Sequence, residues 1–219
     1  MVVGAGQAAV QAIDPLRRNG AKGRLTVVGQ EISLPYQRPP LSKKYLAGTM
    51  ARERLLLRPA QFYETHMVEM RLGRRVEEIS RREQRLLLDD GSTVPYYALV
   101  IATGSRPRAL NVPGAEFEGV HFLRTIADAE RMRAAAASKN GLVIVGGGYI
   151  GLEVAATARE LGLEVTVLEM ADRVMNRVVC PEVSAFYEAE HSKRGVRIVC
   201  NATVGPSRRN GALRRFVRC

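Results

Sequence analysis

The sequence predicts an α/β fold made of two doubly wound, three-layer domains, each incomplete, and three observations predict it. Two glycine-rich turns, Gly4-Ala5-Gly6 and Gly146-Gly147-Gly148, each follow a short apolar run and open a segment of helical periodicity. Beyond each segment comes a second apolar run rich in β-branched residues, Arg24 to Val28 in one case and Glu164 to Leu168 in the other. A stretch rich in Pro, Gly and Arg over residues 105–120 reads as a linker and divides the chain into domains 1–108 and 109–219. Strand, glycine turn, helix and strand make one βαβ unit, and its recurrence marks a repeated architecture.

In order, Met1-Val2-Val3 is the stub of a buried strand, and Ala8 to Arg18 reads as a helix ending near Asn19-Gly20. After the second strand, a proline-rich loop over Leu34 to Pro40 leads to a short helix around Leu41 to Leu46, and Pro59 to Thr65 starts another. From Val76 the pattern turns to strands. Arg85 to Leu88 and Thr93-Val94 flank Asp89-Asp90-Gly91, a hairpin signal. Ala98 to Ala102 reads as a fully buried strand ending at Thr103-Gly104. In the second half a helix with Asp128 in its first turn runs to about Ser138, and Leu142 to Val145 is the strand before the glycines. The next helix stops at Gly162, Ser184 to Arg194 is another helix, and Val196 to Val199 is a strand. Asn210-Gly211 reads as a further hairpin turn, with the sequence ending in its second strand at Cys219.

Composition narrows the function classes. The 219 residues are 46% hydrophobic and 25% charged, the balance of an ordinary globular chain. No apolar run approaches the ~20 residues that span a bilayer, and no stretch has the order of a signal peptide, so the expectation is a cytoplasmic protein with no membrane role. Cys180, Cys200 and Cys219 are widely spaced, which predicts neither a disulfide framework nor a metal site. The net charge of +11 comes from scattered arginines without interleaved aromatics. That pattern predicts no nucleic-acid role and leaves an acidic protein partner as the alternative to a merely solvated surface.

The glycines carry the chemistry. A pyrophosphate needs a tight turn out of a strand, a bare position for its close approach, and a small residue where helix packs on strand. The helix N-terminus beyond adds unpaired N–H groups and a partial positive charge. Gly4, Gly6 and Ala9 take these places in the first unit, and Gly146, Gly148 and Gly151 in the second. Either motif alone could be a turn with only a packing role. Both in their proper strand–helix–strand context predict two Rossmann-like dinucleotide sites. Glu169 falls 18 residues beyond Gly151, at the end of the next strand, where a carboxylate binds both ribose hydroxyls of NAD and repels the extra phosphate of NADP. NADH preference follows, with Arg173 nearby as the counter-indication. In the first unit Gly29 stands where that acid would be, followed by Gln30 and Glu31.

The two fingerprints with Ala102-Thr103-Gly104 between them resemble the FAD-dependent pyridine nucleotide-disulfide oxidoreductase superfamily. YQRPPLSKKYL (Tyr36 to Leu46), HFLRTIADA (His121 to Ala129), VIVGGGYIGLEVAATA (Val143 to Ala158) and VTVLEMADRV (Val165 to Val174) are similar to the NADH-ferredoxin reductases of oxygenase systems, the putidaredoxin and rhodocoxin reductase type. The resemblance covers nearly the whole chain. It implies FAD on Gly4, Gly6 and Ala9, with Gln30 facing the adenosine ribose at a position where the family usually has an acid. It implies that Val76 holds the adenine end through its backbone, and that Ala102, Thr103, Gly104 and Arg124 line the FAD site. Lys43 would sit beside the flavin ring, where a cation stabilises reduced, anionic flavin. Ile150, Glu153 and Glu169 would contact NAD, with Glu153 near the nicotinamide. Lys43 and Glu153 are thus the candidate catalytic residues. Glu153, read as lying in a helix first turn, and Lys43, following Ser42, also admit plain helix-dipole and surface roles.

Residues 34–50 contain no cysteine, so the thiol relay of the disulfide branch is not expected. The implied activity is electron transfer from NADH through FAD to a two-iron ferredoxin or similar small carrier. Other flavin reductases of the superfamily, with rubredoxin, nitrite or oxygen as acceptor, and an inactive nucleotide-binding remnant are the alternatives. The resemblance also implies a longer parent chain in which the FAD domain resumes after the NAD domain. The expectation is an N-terminal fragment that is marginally stable alone, because its open sheets expose strand edges.

Overall fold

The computed structural model describes residues 1–108, 110, 112–138 and 140–205. The chain divides into two compact units: Met1–Arg38 with Arg52–Arg106, and Pro39–Ala51 with Pro107–Cys219. The stretch 39–51, which the sequence reading kept in the first domain, therefore groups with the second unit.

In the first unit the elements run β1 (Val2–Val3), α1 (Gln7–Arg18), β2 (Leu25–Gly29), α2 (Ala60–Thr65), β3 (Val68–Leu72), β4 (Val76–Ser80), β5 (Arg85–Leu88), β6 (Thr93–Pro95) and β7 (Val100–Ile101). A four-stranded parallel sheet has the order β3-β2-β1-β7, and β4, β5 and β6 form an antiparallel meander. Strand side chains alternate faces, and this alternation builds two cores. Val2, Leu25 and Val27 pack with Ala9, Val10 and Ile13 of α1, while Val3 and Val28 pack with Leu86, Leu88 and Val94 of the meander. Burial on both faces explains why β2 reads as a continuous apolar run.

The second unit contains α3 (Ile126–Ala136), β8 (Gly141–Val145), α4 (Tyr149–Glu160), β9 (Glu164–Leu168), α5 (Pro181–Lys193) and β10 (Val196–Val199). The parallel order is β10-β9-β8, with Ile144 opposite Val167 and Val167 opposite Ile198. Ala155 and Ala158 of α4 pack on Val165, Val167 and Val196. These small residues let the helix lie close on the sheet.

Several expectations change. The strand expected to be fully buried over Ala98 to Ala102 is only β7, whose Val100 and Ile101 are 43% and 63% exposed. Among the described residues it pairs with β1 on one side only, and no strand covers its outer edge. β3 was not foreseen, because Glu69 and Arg71 interrupt its apolar pattern. The short helix around Leu41 to Leu46 is instead a 3₁₀ turn over Pro39–Ser42. Helix α5 begins three residues before Ser184, on Pro181 at its first position, where a missing N–H costs nothing. The Asn210-Gly211 hairpin lies outside the described residues. Among those described, no helix is long and apolar enough to cross a membrane.

Candidate functional site

Both glycine turns share one geometry. Gly4 has φ of +106° and Gly146 has φ of +108°, a left-handed conformation that glycine adopts at little cost. The Gly4 amide donates to Val28 O, and the Gly146 amide donates to Leu168 O, both at 2.8 Å. Gly6 and Gly148 are the N-caps of α1 and α4. A Cβ added to either would meet nothing within 4 Å. The third place differs. A Cβ on Gly151 would lie 2.0 Å from Gly146 O, whereas Ala9 keeps its methyl, fully buried against Val2 and Val27.

Neither α1 nor α4 has a side-chain cap or an acid in its first turn, whereas α3 is closed by a Thr125–Asp128 capping box. The first amides of α1 and α4 thus face open space with helix-dipole charge behind them, the chemistry of an anion cradle. The donor set fits a pyrophosphate in each unit.

Around the first turn the structure brings in Ala102 and Thr103, with Gly104 following them in the chain. A Cβ on Gly4 would sit 2.1 Å from Ala102 O, and the Ala102 amide donates to Val3 O at 2.7 Å. Val76 opens β4 and packs against the Val3–Val28 core. Gln30 is exposed just past β2. A cavity of about 400 Å³ opens nearby, lined by Ile32, Met70, Leu72, Gly73 and Arg74 among others.

The strand-end positions differ for a packing reason. Gly29 matches Glu169 in register, and its added Cβ would lie 2.4 Å from the Ala5 methyl. A side chain in the first turn thus excludes one at the strand end. In the second unit Gly147 is bare and Glu169 fills the place. Sequence reasoning missed what the first unit does instead. Arg38 pairs with Glu31 at 2.7 Å, Tyr36 OH donates to the same carboxylate, and the Arg38 guanidinium lies over the Tyr36 ring at 5.0 Å.

Glu169 takes the Gly147 amide on Oε2 at 2.6 Å and the Ala171 amide on Oε1 at 2.9 Å. Arg173, the residue that counted against NADH, is committed elsewhere. It donates to Val179 O at 3.0 Å, Ser184 Oγ at 2.7 Å and Asn176 O at 3.0 Å. Ile150 is 57% exposed at the start of α4.

Lys43 Nζ meets Glu153 Oε2 at 2.6 Å. Glu153 lies beyond the first turn of α4, not within it as expected, because that turn is Tyr149 to Leu152. The side chains are 45% and 30% exposed, and an ion pair so wet contributes about 0–1 kcal/mol. Stability alone is a weak reason for it. The same Oε2 accepts from Ser42 Oγ at 2.6 Å, and Thr157 Oγ1 donates to Ser42 O at 2.9 Å. Tyr45 OH donates to Glu130 of α3 at 2.7 Å. These bonds explain why the stretch 39–51 groups with the second unit. Ser42 and Thr157 were not foreseen. The one available signal was that Glu153 and Thr157 stand four apart on one helix face. Arg124 precedes α3, its amide donating to Asp128 Oδ2 at 3.0 Å.

The family described as pyridine nucleotide-disulphide oxidoreductase matches residues 1–217. The chain belongs to this family. Among curated relatives, rhodocoxin reductase of Rhodococcus erythropolis is 46% identical over 198 residues, 90% of this chain and 46% of that protein. Among solved structures, the ferredoxin reductase for the CYP199A2 system of Rhodopseudomonas palustris superposes with a TM-score of 0.91 at 40% identity, covering 98% of this chain and 52% of that one. The putidaredoxin reductase in its covalent complex with putidaredoxin gives 0.87 at 42% identity, covering 94% of this chain and 50% of the other. The chain spans about half the length of the curated relatives it matches.

Proposed function

We propose that this chain carries the FAD and NAD sites of an NADH-dependent flavoprotein reductase that passes electrons to a two-iron ferredoxin or a similar small carrier. The observation that carries the proposal is the glycine cradle built twice, with matching φ at Gly4 and Gly146 and open space at Gly6 and Gly148. Relatives at 40–46% identity are named as ferredoxin or rhodocoxin reductases, and one is solved joined to its putidaredoxin.

On this reading domain 1–108 holds FAD and domain 109–219 holds NAD. Gly4, Gly6 and Ala9 with the α1 amides hold the FAD pyrophosphate. Val76 serves the adenine end, Gln30 the ribose, and Ala102, Thr103, Gly104 and Arg124 line the site. Gly146, Gly148, Ile150 and Gly151 hold the NAD pyrophosphate, and Glu169 receives the adenosine ribose hydroxyls. NADH is preferred because Glu169 supplies negative charge at that ribose while the guanidinium of Arg173 is spent on Asn176, Val179 and Ser184. When bound, FAD supplies the exchange between a two-electron donor and a one-electron acceptor. Lys43, held by Glu153, offers a fixed positive charge to the flavin edge. The net charge of +11 steers an acidic carrier toward the protein. A cytoplasmic setting supplies the NADH.

The test is anaerobic. The chain is loaded with FAD, titrated with NADH, and then given an oxidised two-iron ferredoxin. Bleaching of the flavin bands by NADH, recovery on adding ferredoxin, and slowing of that recovery by salt are expected. A chain that binds no FAD, or whose flavin NADH leaves coloured, would sink the proposal.

A further inference from the structure

Among the described residues, four polar side chains are buried: Thr26, Ser42, Thr157 and Ser184. Two of these four are bonded to each other and to the Lys43–Glu153 pair. Ser42 is 4% exposed and Thr157 is 5% exposed. The Thr157 hydroxyl donates to Ser42 O at 2.9 Å, and the Ser42 hydroxyl donates to Glu153 Oε2 at 2.6 Å. Oε2 is the same atom that meets Lys43 Nζ at 2.6 Å.

We infer that Ser42 and Thr157 are positioning residues that set the place of the Lys43 ammonium, acting through the Glu153 carboxylate. A glutamate that is 30% exposed, facing a lysine that is 45% exposed, has several rotamers of similar energy. A buried hydroxyl aimed at one oxygen removes that freedom. Thr157 supports the hydroxyl from below, because it stands one helical turn past Glu153 and fixes the backbone of the residue that carries it. Lys43 Nζ also donates to Pro39 O at 3.2 Å, and Ser42 Oγ approaches that same carbonyl at 3.3 Å. The hydroxyl and the ammonium thus share two acceptors, and moving either one disturbs the other. The importance of the clamp rests on the proposed role of Lys43 at the flavin edge; its existence does not.

The experiment separates the two. The chain without added cofactor is treated with a trace of an N-hydroxysuccinimide ester at pH 8, and acylation of each lysine is followed by mass spectrometry. Lys44, the exposed neighbour on the same turn, and Lys22 serve as internal references. Pairing protects an amine, since a nitrogen held against a carboxylate and a carbonyl is less free to reach the reagent. Ser42→Ala and Thr157→Val are expected to speed acylation of Lys43 by about fivefold, on the order of one lost charge-assisted hydrogen bond, with Lys44 unchanged. Ser42→Thr restores protection, and Glu153→Gln abolishes it. Should the turn simply loosen, Lys44 would speed up with Lys43, and the inference fails. It fails equally if Lys43 keeps its wild-type rate in Thr157→Val, a variant that stands in for Ser42→Ala should that one not fold. In the FAD-loaded chain the same variants should lower kcat for flavin reduction and leave the KM for NADH unchanged. If the acylation pattern holds without that fall, the clamp stands and the functional reading of Lys43 is what has failed.

Discussion

The carboxylate of Glu169 reaches back to its own glycine turn and accepts the Gly147 amide at 2.6 Å. The acid proposed to meet a ribose is therefore also a brace for the turn proposed to meet a pyrophosphate. Glu169→Ala is expected to weaken NADH binding by about tenfold or more, because bonds to an ionised acceptor are the strong ones. NADPH should not gain to parity, since Arg173 stays bonded to Val179, Ser184 and Asn176. Fluorescence titration with both nucleotides reads this out. Tight NADPH binding by the variant would show that Glu169 acts by repulsion alone.

The glycines separate folding from binding. Gly4→Ala and Gly151→Ala place a methyl 2.1 Å from Ala102 O and 2.0 Å from Gly146 O, and Gly4 also has φ of +106°. Each should cost more than about 2 kcal/mol in thermal or denaturant unfolding. Gly6→Ala meets open space and should change stability by less than about 1 kcal/mol. It should nonetheless lose FAD, because its methyl occupies the ground a phosphate needs. Retention of FAD by folded Gly6→Ala would remove the cradle.

Thiol reactivity should split by environment. Cys180 is exposed. Burial, with the Glu188 and other nearby carboxylates adding to it, pushes the Cys200 thiol up to about 11. Iodoacetamide at pH 8 should label Cys180 at least about tenfold faster than Cys200, since the thiolate is the nucleophile. Peptide mass spectrometry distinguishes them, and equal rates would contradict the packing around Cys200.

Glu69 gives the first unit an acid limit. Burial works against its charged form, but hydrogen bonds from Arg71, Arg24 and Thr26 prevail and bring it down to about 2 from the usual 4.5. A lowered folded value means that the carboxylate stabilises the fold above pH 4.5, and that this stabilisation drains away as pH falls toward 2. The side chain is a third exposed, so the effect is modest. Glu69→Gln should flatten the acid limb of a melting-temperature profile between these pH values and change it little at pH 7. An unchanged acid limb would mean that the Arg24–Glu69–Arg71 cluster contributes nothing.

Much of this was legible in order along the chain. Both βαβ units were readable because each needs only local information: β-branched runs such as Leu25 to Val28, a glycine turn that must bend sharply, and a helix of period 3.6 behind it. Strand β3 was not legible, because Glu69 and Arg71 hide a parallel strand whose charges neutralise one another at its surface. The exposure of β7 was hidden too, since an apolar pentapeptide has the same sequence whether or not another strand covers its edge.

The sequence by itself determined the repeated glycine turns, the acid after β9 and the lysine after Ser42, because spacing along one element fixes which residues share a face. Only the tertiary structure decided that Ala5 excludes a side chain at Gly29, that Arg173 is spent on α5 and its preceding loop, and that Ser42 and Thr157 hold the Lys43–Glu153 pair. Each of those outcomes joins residues from separate elements. Which groups then come within hydrogen-bond reach depends on ångström-scale packing, which residue order does not encode locally.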